Sequence, residues 1–244
     1  MADAKPKMVY NAPRFMVKQY DWDVFVGPAA GDQVIDTTLT DLDTGEEVKI
    51  SDFKGKWLAL ETGSATCSMY TKNIPDMKTI QDDFPDVEFR LIYVREAHPG
   101  ERLHQHRSIE EKVEAAKLLK SRYGEHRKIL VDSINGGHHL KYAAMPNTMY
   151  VIRPDGTVHY RCNWATAEGL REALSDRDNL HTMENADVKS LKASRGIYTS
   201  LRTMWTGGVM ALWDFVKAGP QLAKRHKLVD DYYKKHGKFK QQPN

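Results

Sequence analysis

Residues 87–94 (Val-Glu-Phe-Arg-Leu-Ile-Tyr-Val) put Phe89, Leu91 and Tyr93 on one face of a strand and Ile92 and Val94 on the other. A strand apolar on both faces belongs in the middle of a sheet that is covered on both sides, which is the habit of parallel strands joined by crossover helices. The neighbouring segments fit that frame. Trp57–Leu60 is a short buried strand that stops at the small, polar run Thr62-Gly63-Ser64-Ala65-Thr66-Cys67. Met69, Tyr70, Ile74, Met77 and Ile80 then recur at helical steps, with Pro75 either kinking the helix or marking its first turn. Ser108-Ile109-Glu110-Glu111 reads as a capping box opening a helix that Gly124 ends. Lys128–Val131 and Met149–Ile152 are further strands. Pro154-Asp155-Gly156 turns the chain back into Val158–Cys162, and Leu170–Leu174 belongs to a closing helix.

Upstream, Gln33–Thr40 and Glu46–Ile50 are β-prone runs about the turn Asp43-Thr44-Gly45. The expected fold is α/β: a mixed central sheet flanked by helices, with an N-terminal arm over residues 1–28, the main domain over 29–180 and a basic helical extension over 181–244. In open α/β sheets function gathers at the carboxyl ends of the strands, which directs attention to Thr62–Cys67.

Charge narrows the partners. Residues 186–244 carry a net charge of +8 and the remaining 185 carry −5. An acidic body speaks against a nucleic-acid-binding core. The basic extension reads as a helical surface docked on the domain or on a second copy, or as a peripheral contact with anionic lipid. No uncharged run exceeds 11 residues, too few for a membrane span of about 20. Met1–Val9 has no apolar run after its two lysines, so no secretory signal is read and a cytoplasmic location is expected. Two cysteines, Cys67 and Cys162, exclude a disulfide-rich scaffold and a cysteine-based zinc finger.

A cysteine at the first turn of a helix faces unpaired backbone N–H groups and the positive end of the helix dipole, and both favour the thiolate. Cys67 has that position, with the Ser64 and Thr66 hydroxyls beside it. Position 70 is tyrosine, so there is no CxxC and no self-contained dithiol exchange. Cys162, on a strand, reads as structural. His98 and His106, in the polar loop after the central strand, are candidates to move a proton or to lower the thiol's pKa. His104 and His106, two residues apart, face one side if extended. That pair, and His138-His139, are weak metal signals, and no bound cofactor or metal is expected.

The same residues carry a family resemblance. Gly55-Lys56, the cysteine at a strand–helix junction, Met145-Pro146-Asn147-Thr148 and Pro154-Asp155-Gly156 resemble the thioredoxin/redoxin fold, in which Pro146 would be a cis-proline beside the thiol. Gly63-Ser64-Ala65-Thr66-Cys67 resembles the Gly-Ser-Cys-Thr-selenocysteine motif of the iodothyronine deiodinases, with Cys67 at the selenocysteine position. Tyr93-Val94-Arg95-Glu96-Ala97-His98-Pro99 resembles their strand and Glu-Ala-His loop, and His106-Arg107-Ser108-Ile109-Glu110-Glu111 the helix after it.

The resemblance implies Cys67 as nucleophile, catalytic roles for His98, His106, Glu96, Ser64 and Thr66, and substrate contacts from Met145, Pro146 and Arg107. It also implies a homodimer that removes halogen reductively from a small aromatic substrate with a thiol as reductant. Ala65 stands where the family has a second cysteine, so an external thiol, or a thioredoxin-type reductant, is expected to restore Cys67. Two other readings remain open: a one-cysteine peroxidase of the peroxiredoxin type, and a non-catalytic thioredoxin-fold binding module.

Overall fold

The computed structural model describes residues 10–20, 24–143, 145–180, 197–236 and 240–241. The short strand β1 (Val24–Phe25) is followed by the hairpin β2 (Thr38–Asp41) and β3 (Glu47–Lys49). The strand β4 (Trp57–Gly63) leads to helices α1 (Ser68–Thr71) and α2 (Ile74–Asp83). Next come β5 (Val87–Tyr93), α3 (Ile109–Tyr123), β6 (Lys128–Val131) and the one-turn α4 (His139–Tyr142). The hairpin β7 (Met149–Ile152) and β8 (Val158–Cys162) precedes α5 (Ala167–Ser175). Two further helices, α6 (Ile197–Gly207) and α7 (Val209–His236), lead to β9 (Lys240–Gln241), which pairs with β1.

Seven strands form one sheet in the order β3-β2-β6-β5-β4-β7-β8. β4, β5 and β6 are mutually parallel. β7 runs antiparallel to β4, β8 to β7, and β2 to β6. A parallel strand–helix–strand core closed by an antiparallel hairpin and a final helix is the thioredoxin-like arrangement, here widened by the β2–β3 hairpin.

Apolar alternation sorts the core as the sequence predicts. Ala59, Phe89, Val151 and Tyr160 face Met77 and Ile80 of α2 and Leu170, Ala173 and Leu174 of α5. Leu91, Tyr93, Ile129 and Val131 face Ala115, Ala116 and Leu119 of α3. On the opposite face Leu58, Leu60, Ile92, Leu130 and Ile152 are covered by Ile50 and by Tyr142 of α4.

Pro75 lies in the first turn of α2, where its missing N–H is harmless, and the helical pattern breaks at Lys72–Asn73 instead of kinking at the proline. Ser108 caps α3 by accepting from Glu111 N at 3.3 Å, but Glu111 turns back one residue further, to Arg107 N at 2.9 Å. Gly124 ends α3 at φ +73°, a conformation that favours glycine.

Beneath the first crossover lies a buried charge cluster. Arg127 donates to Glu61 at 2.6 Å and, through two nitrogens, to Glu125 at 2.9 and 2.7 Å, while the Tyr70 hydroxyl donates to Glu125 at 2.6 Å. Burial opposes the charge on Glu125, but Arg127's charge and hydrogen bonds outweigh it and hold the carboxyl down at about 2. Its stabilising contribution is therefore complete above the ordinary carboxylate range and lost as pH falls toward 2. Replacing Arg127 by Met strands two buried carboxylates. Urea unfolding at pH 7 is expected to show a loss of about 3–5 kcal/mol, and the deficit should shrink as pH falls below 4.

Candidate functional site

Parallel pairing of β4 with β5 places Gly63 beside Tyr93, so the loops that leave the two strands emerge side by side. They are laced together. Thr66 donates to the Glu96 carboxylate through its backbone N at 2.9 Å and its Oγ1 at 2.5 Å. The same hydroxyl accepts from His98 N at 3.0 Å, and Ser64 Oγ accepts from Ala97 N at 3.2 Å. Tyr93 donates its hydroxyl to the other Glu96 oxygen, and His106 Nε2 lies 3.5 Å from that oxygen.

Glu96 is fully buried. Burial works against its charge, but His106, Thr66 and Tyr93 outweigh it and hold the carboxyl below the usual range. The Gln105 amide grips the Glu96 backbone from both sides, accepting from its N at 3.0 Å and donating to its O at 2.7 Å. Sequence reasoning brought Ser64, Thr66, Glu96, His98 and His106 to this place. It missed Tyr93, visible only as a strand residue, and Gln105, whose part emerges only once the loop is closed.

Cys67 is the N-cap of α1 but its sulfur accepts no capping hydrogen bond; the nearby backbone N–H groups of Tyr70 and Met69 still favour its ionised form. The expected thiolate is nevertheless corrected. Burial pushes the thiol up to about 12, more than those two donors can offset, and the Glu61 and Glu96 carboxylates add to the rise. A four-residue helix also has little dipole to offer.

His98 lies with its ring between Phe15, at 4.3 Å between ring centroids, and Phe215, at 5.5 Å. Burial holds its pKa down at about 4 against the pull of Glu96 and Asp214, so the imidazole is neutral at pH 7. Its Nδ1 is buried with no hydrogen-bond partner.

Other expectations are corrected too. His104 and His106 diverge: His106 turns inward to Glu96, while His104 turns outward and meets Arg107 at 3.2 Å. Arg107 is exposed just before α3, its backbone N donating to Glu111 at 2.9 Å. Pro146 is preceded by a trans peptide bond, its Met145 carbonyl being held by His139 Nε2 at 2.9 Å and Thr148 Oγ1 at 3.1 Å. The Pro146 carbonyl accepts from Thr62 Oγ1 at 3.2 Å. Met145 packs in the core that holds Cys162, and Cys67 packs in another. Both cysteines are free thiols.

The two ends of the chain cover the site. Arg95 lies against the rings of Tyr10 and Tyr20, and Tyr20 donates to Ala97 O at 3.3 Å. From the other end, Thr203 of α6 shares a 2.9 Å hydrogen bond with Thr71. Tyr123 donates to Ala65 O at 2.9 Å and lies 2.6 Å from Thr206 Oγ1. Glu101 accepts from Val209 N at 2.6 Å and Met210 N at 2.9 Å, holding the start of α7, and Arg14 pairs with Asp214 at 2.5 and 2.6 Å. Gly207 comes so close that a Cβ there would lie 2.6 Å from His98 O. Residues 1–9, 21–23, 181–196 and 237–239, parts of the expected arm and extension, lie outside the described residues.

The iodothyronine deiodinase family model matches residues 3–168, more than half of the chain. This chain belongs to the iodothyronine deiodinase family. It is 30% identical to a type II iodothyronine deiodinase of Fundulus heteroclitus over an alignment of 93 positions that covers 32% of this chain and 35% of that protein. It is 24% identical to a thyroxine 5-deiodinase of Gallus gallus over 149 residues, which are 56% and 57% of the two chains. The matches thus span less than two thirds of either relative's length. Among solved structures, a secreted Mycobacterium tuberculosis disulfide oxidoreductase homologous to E. coli DsbE superposes with a TM-score of 0.44 at 19% identity, over 57% of this chain and 94% of that one.

In this closed state iodoacetamide labelling of Cys67 is expected to be slow at pH 8 and to keep rising with pH through 10, where an ordinary thiol levels off. Mass spectrometry on the Cys162→Ala chain isolates Cys67. Gly207→Val wedges α6 away from His98. Overpacking of this kind costs about 1–3 kcal/mol, so labelling at pH 8 should rise roughly tenfold with the far-ultraviolet circular dichroism unchanged.

Proposed function

We propose that this deiodinase-family chain is a thiol oxidoreductase in which Cys67 attacks a halogen on a small aromatic substrate. What supports the reading is Cys67 at the N-cap of α1, in a segment that resembles the family's selenocysteine motif, with the Thr66–Glu96 hydrogen bonds and His106 beside it.

The step balances without a bound cofactor. The sulfur takes the iodine of an aryl iodide as its S–H bond breaks and an S–I bond forms. The ring carbon, as the C–I bond breaks, gains the proton the thiol loses. The product arene is reduced and the sulfur oxidised to a sulfenyl iodide. One molecule of an external thiol displaces iodide to give a mixed disulfide, and a second releases Cys67 as the thiol. His98 is the side chain assigned to carry the proton, and its neutral ring suits a relay that accepts at one nitrogen and gives from the other. The raised thiol pKa fits a resting enzyme whose sulfur is activated only when α6 and α7 part to admit substrate. The reading includes a homodimer and a reducing, cytoplasmic setting.

Purified chain is incubated with dithiothreitol and an iodinated phenol, and released iodide is measured against Cys67→Ala. The expected result is release that depends on Cys67 and falls about 10²–10⁴-fold in His98→Ala. Consumption of hydrogen peroxide without iodide release would move the assignment to a one-cysteine peroxidase. Neither activity would leave a binding module.

A further inference from the structure

The inner face of the α6–α7 pair is accounted for: Thr203, Met204, Ala211 and Ala218 are buried against the domain. The outer face is not. Leu201 and Trp205 on α6 and Val209, Met210, Trp213 and Val216 on α7 are all exposed, Trp213 by 55% and Val216 by 60%. On α7 these residues fall on one side of the helix at three- and four-residue steps. The same side then changes character. Lys217 lies over the Trp213 ring at 4.8 Å, and Lys224 and Lys227 follow in line, exposed and with no ion-pair partner among the described residues. One continuous stripe is therefore apolar and aromatic in its first half and mainly basic in its second, where Leu228 is half exposed and Asp231 lies beyond Lys227.

We infer that this stripe is a docking surface for an anionic lipid bilayer, with the α6–α7 pair lying in the interfacial plane. Tryptophan, methionine and valine side chains match the boundary between headgroups and acyl chains, and lysines a few residues along the same face match lipid phosphates. Among the described residues no helix is long and apolar enough to cross a membrane, so the pair would lie on the bilayer and not span it.

A second copy of this chain fits the stripe less well. A two-fold contact over its full length sets the basic half either on its own like or on the apolar half. A contact over the apolar half alone leaves the lysines unmatched. Anionic lipid satisfies both halves at once.

The test uses the full chain and extruded vesicles of phosphatidylcholine, with and without 30 mol% phosphatidylserine, on the order of the anionic content that sets a leaflet's surface potential. Binding is read by co-sedimentation and by the blue shift of tryptophan emission. Binding is expected to the phosphatidylserine vesicles at low salt, and to weaken steeply as salt is raised. Lys224→Glu with Lys227→Glu should lower the partition coefficient roughly tenfold or more. Trp213→Ser with Val216→Ser should weaken it and remove most of the blue shift.

These exposed positions have no part in the Cys67 site, so iodide release or thiol labelling measured without vesicles reports separately on the enzymatic reading. No sedimentation at low salt overturns the inference. So does binding indifferent to phosphatidylserine and to the lysine reversals, or protection of Trp213 that rises with protein concentration in the absence of lipid.

Discussion

The two hydrogen bonds from Thr66 to the Glu96 carboxylate are the constraint on which this site depends. They join the loops leaving β4 and β5, which the sheet sets side by side but does not itself connect. A fully buried carboxylate that keeps its charge costs several kcal/mol unless donors surround it, and each donor here has a structural consequence. Thr66 fixes the backbone just before Cys67. Tyr93 ties the site to the central strand. His106 turns inward and sets the approach to α3. Gln105 then has to close the loop around the carboxylate's own backbone.

The same burial sets the ionisation of the sulfur. The nearby N–H groups of Tyr70 and Met69 pull toward the thiolate, while exclusion of water and two nearby carboxylates pull the other way. The rise from 9.0 to about 12 amounts to about 4 kcal/mol in favour of the thiol. Cys67 packs among Leu91, Tyr93, Ala97, Ala115, Ala116 and Leu119 of the domain itself. Phe15 from one end of the chain and Phe215 from the other flank His98, and α6 lies over Thr66 and Thr71. Ionisation and enclosure are thus opposed at this cysteine.

What the sequence revealed followed from local physics. β5 was legible because its alternation is complete on both faces, α3 because Ser108 and Gly124 mark its ends, and the thioredoxin-like frame because strand and helix periods alternate. The family motifs brought Ser64, Thr66, Cys67, Glu96, His98 and His106 to one site. Long-range burial was not legible. Nothing next to Cys67 in the chain signals that it will pack among Leu91, Tyr93, Ala97 and the inner face of α3, so the local argument for a thiolate lost to desolvation. Nor could the spacing of His104 and His106 show that one would turn in to Glu96 and the other out to Arg107. The Glu61–Arg127–Glu125 cluster was equally hidden, because charged residues on a strand or in a short loop read as solvent-facing until a partner is found for them.

The pairing of Arg14 with Asp214 spans 200 positions of the chain. During synthesis the sheet and its crossovers are complete well before residue 214 has left the ribosome, whereas this clasp and the layer it fastens must wait for it. Every new molecule therefore passes through an interval in which its thioredoxin-like body is formed while the loops that carry Thr66 and His98 still lack their outer layer. In that interval these loops meet solvent as they never do in the finished protein.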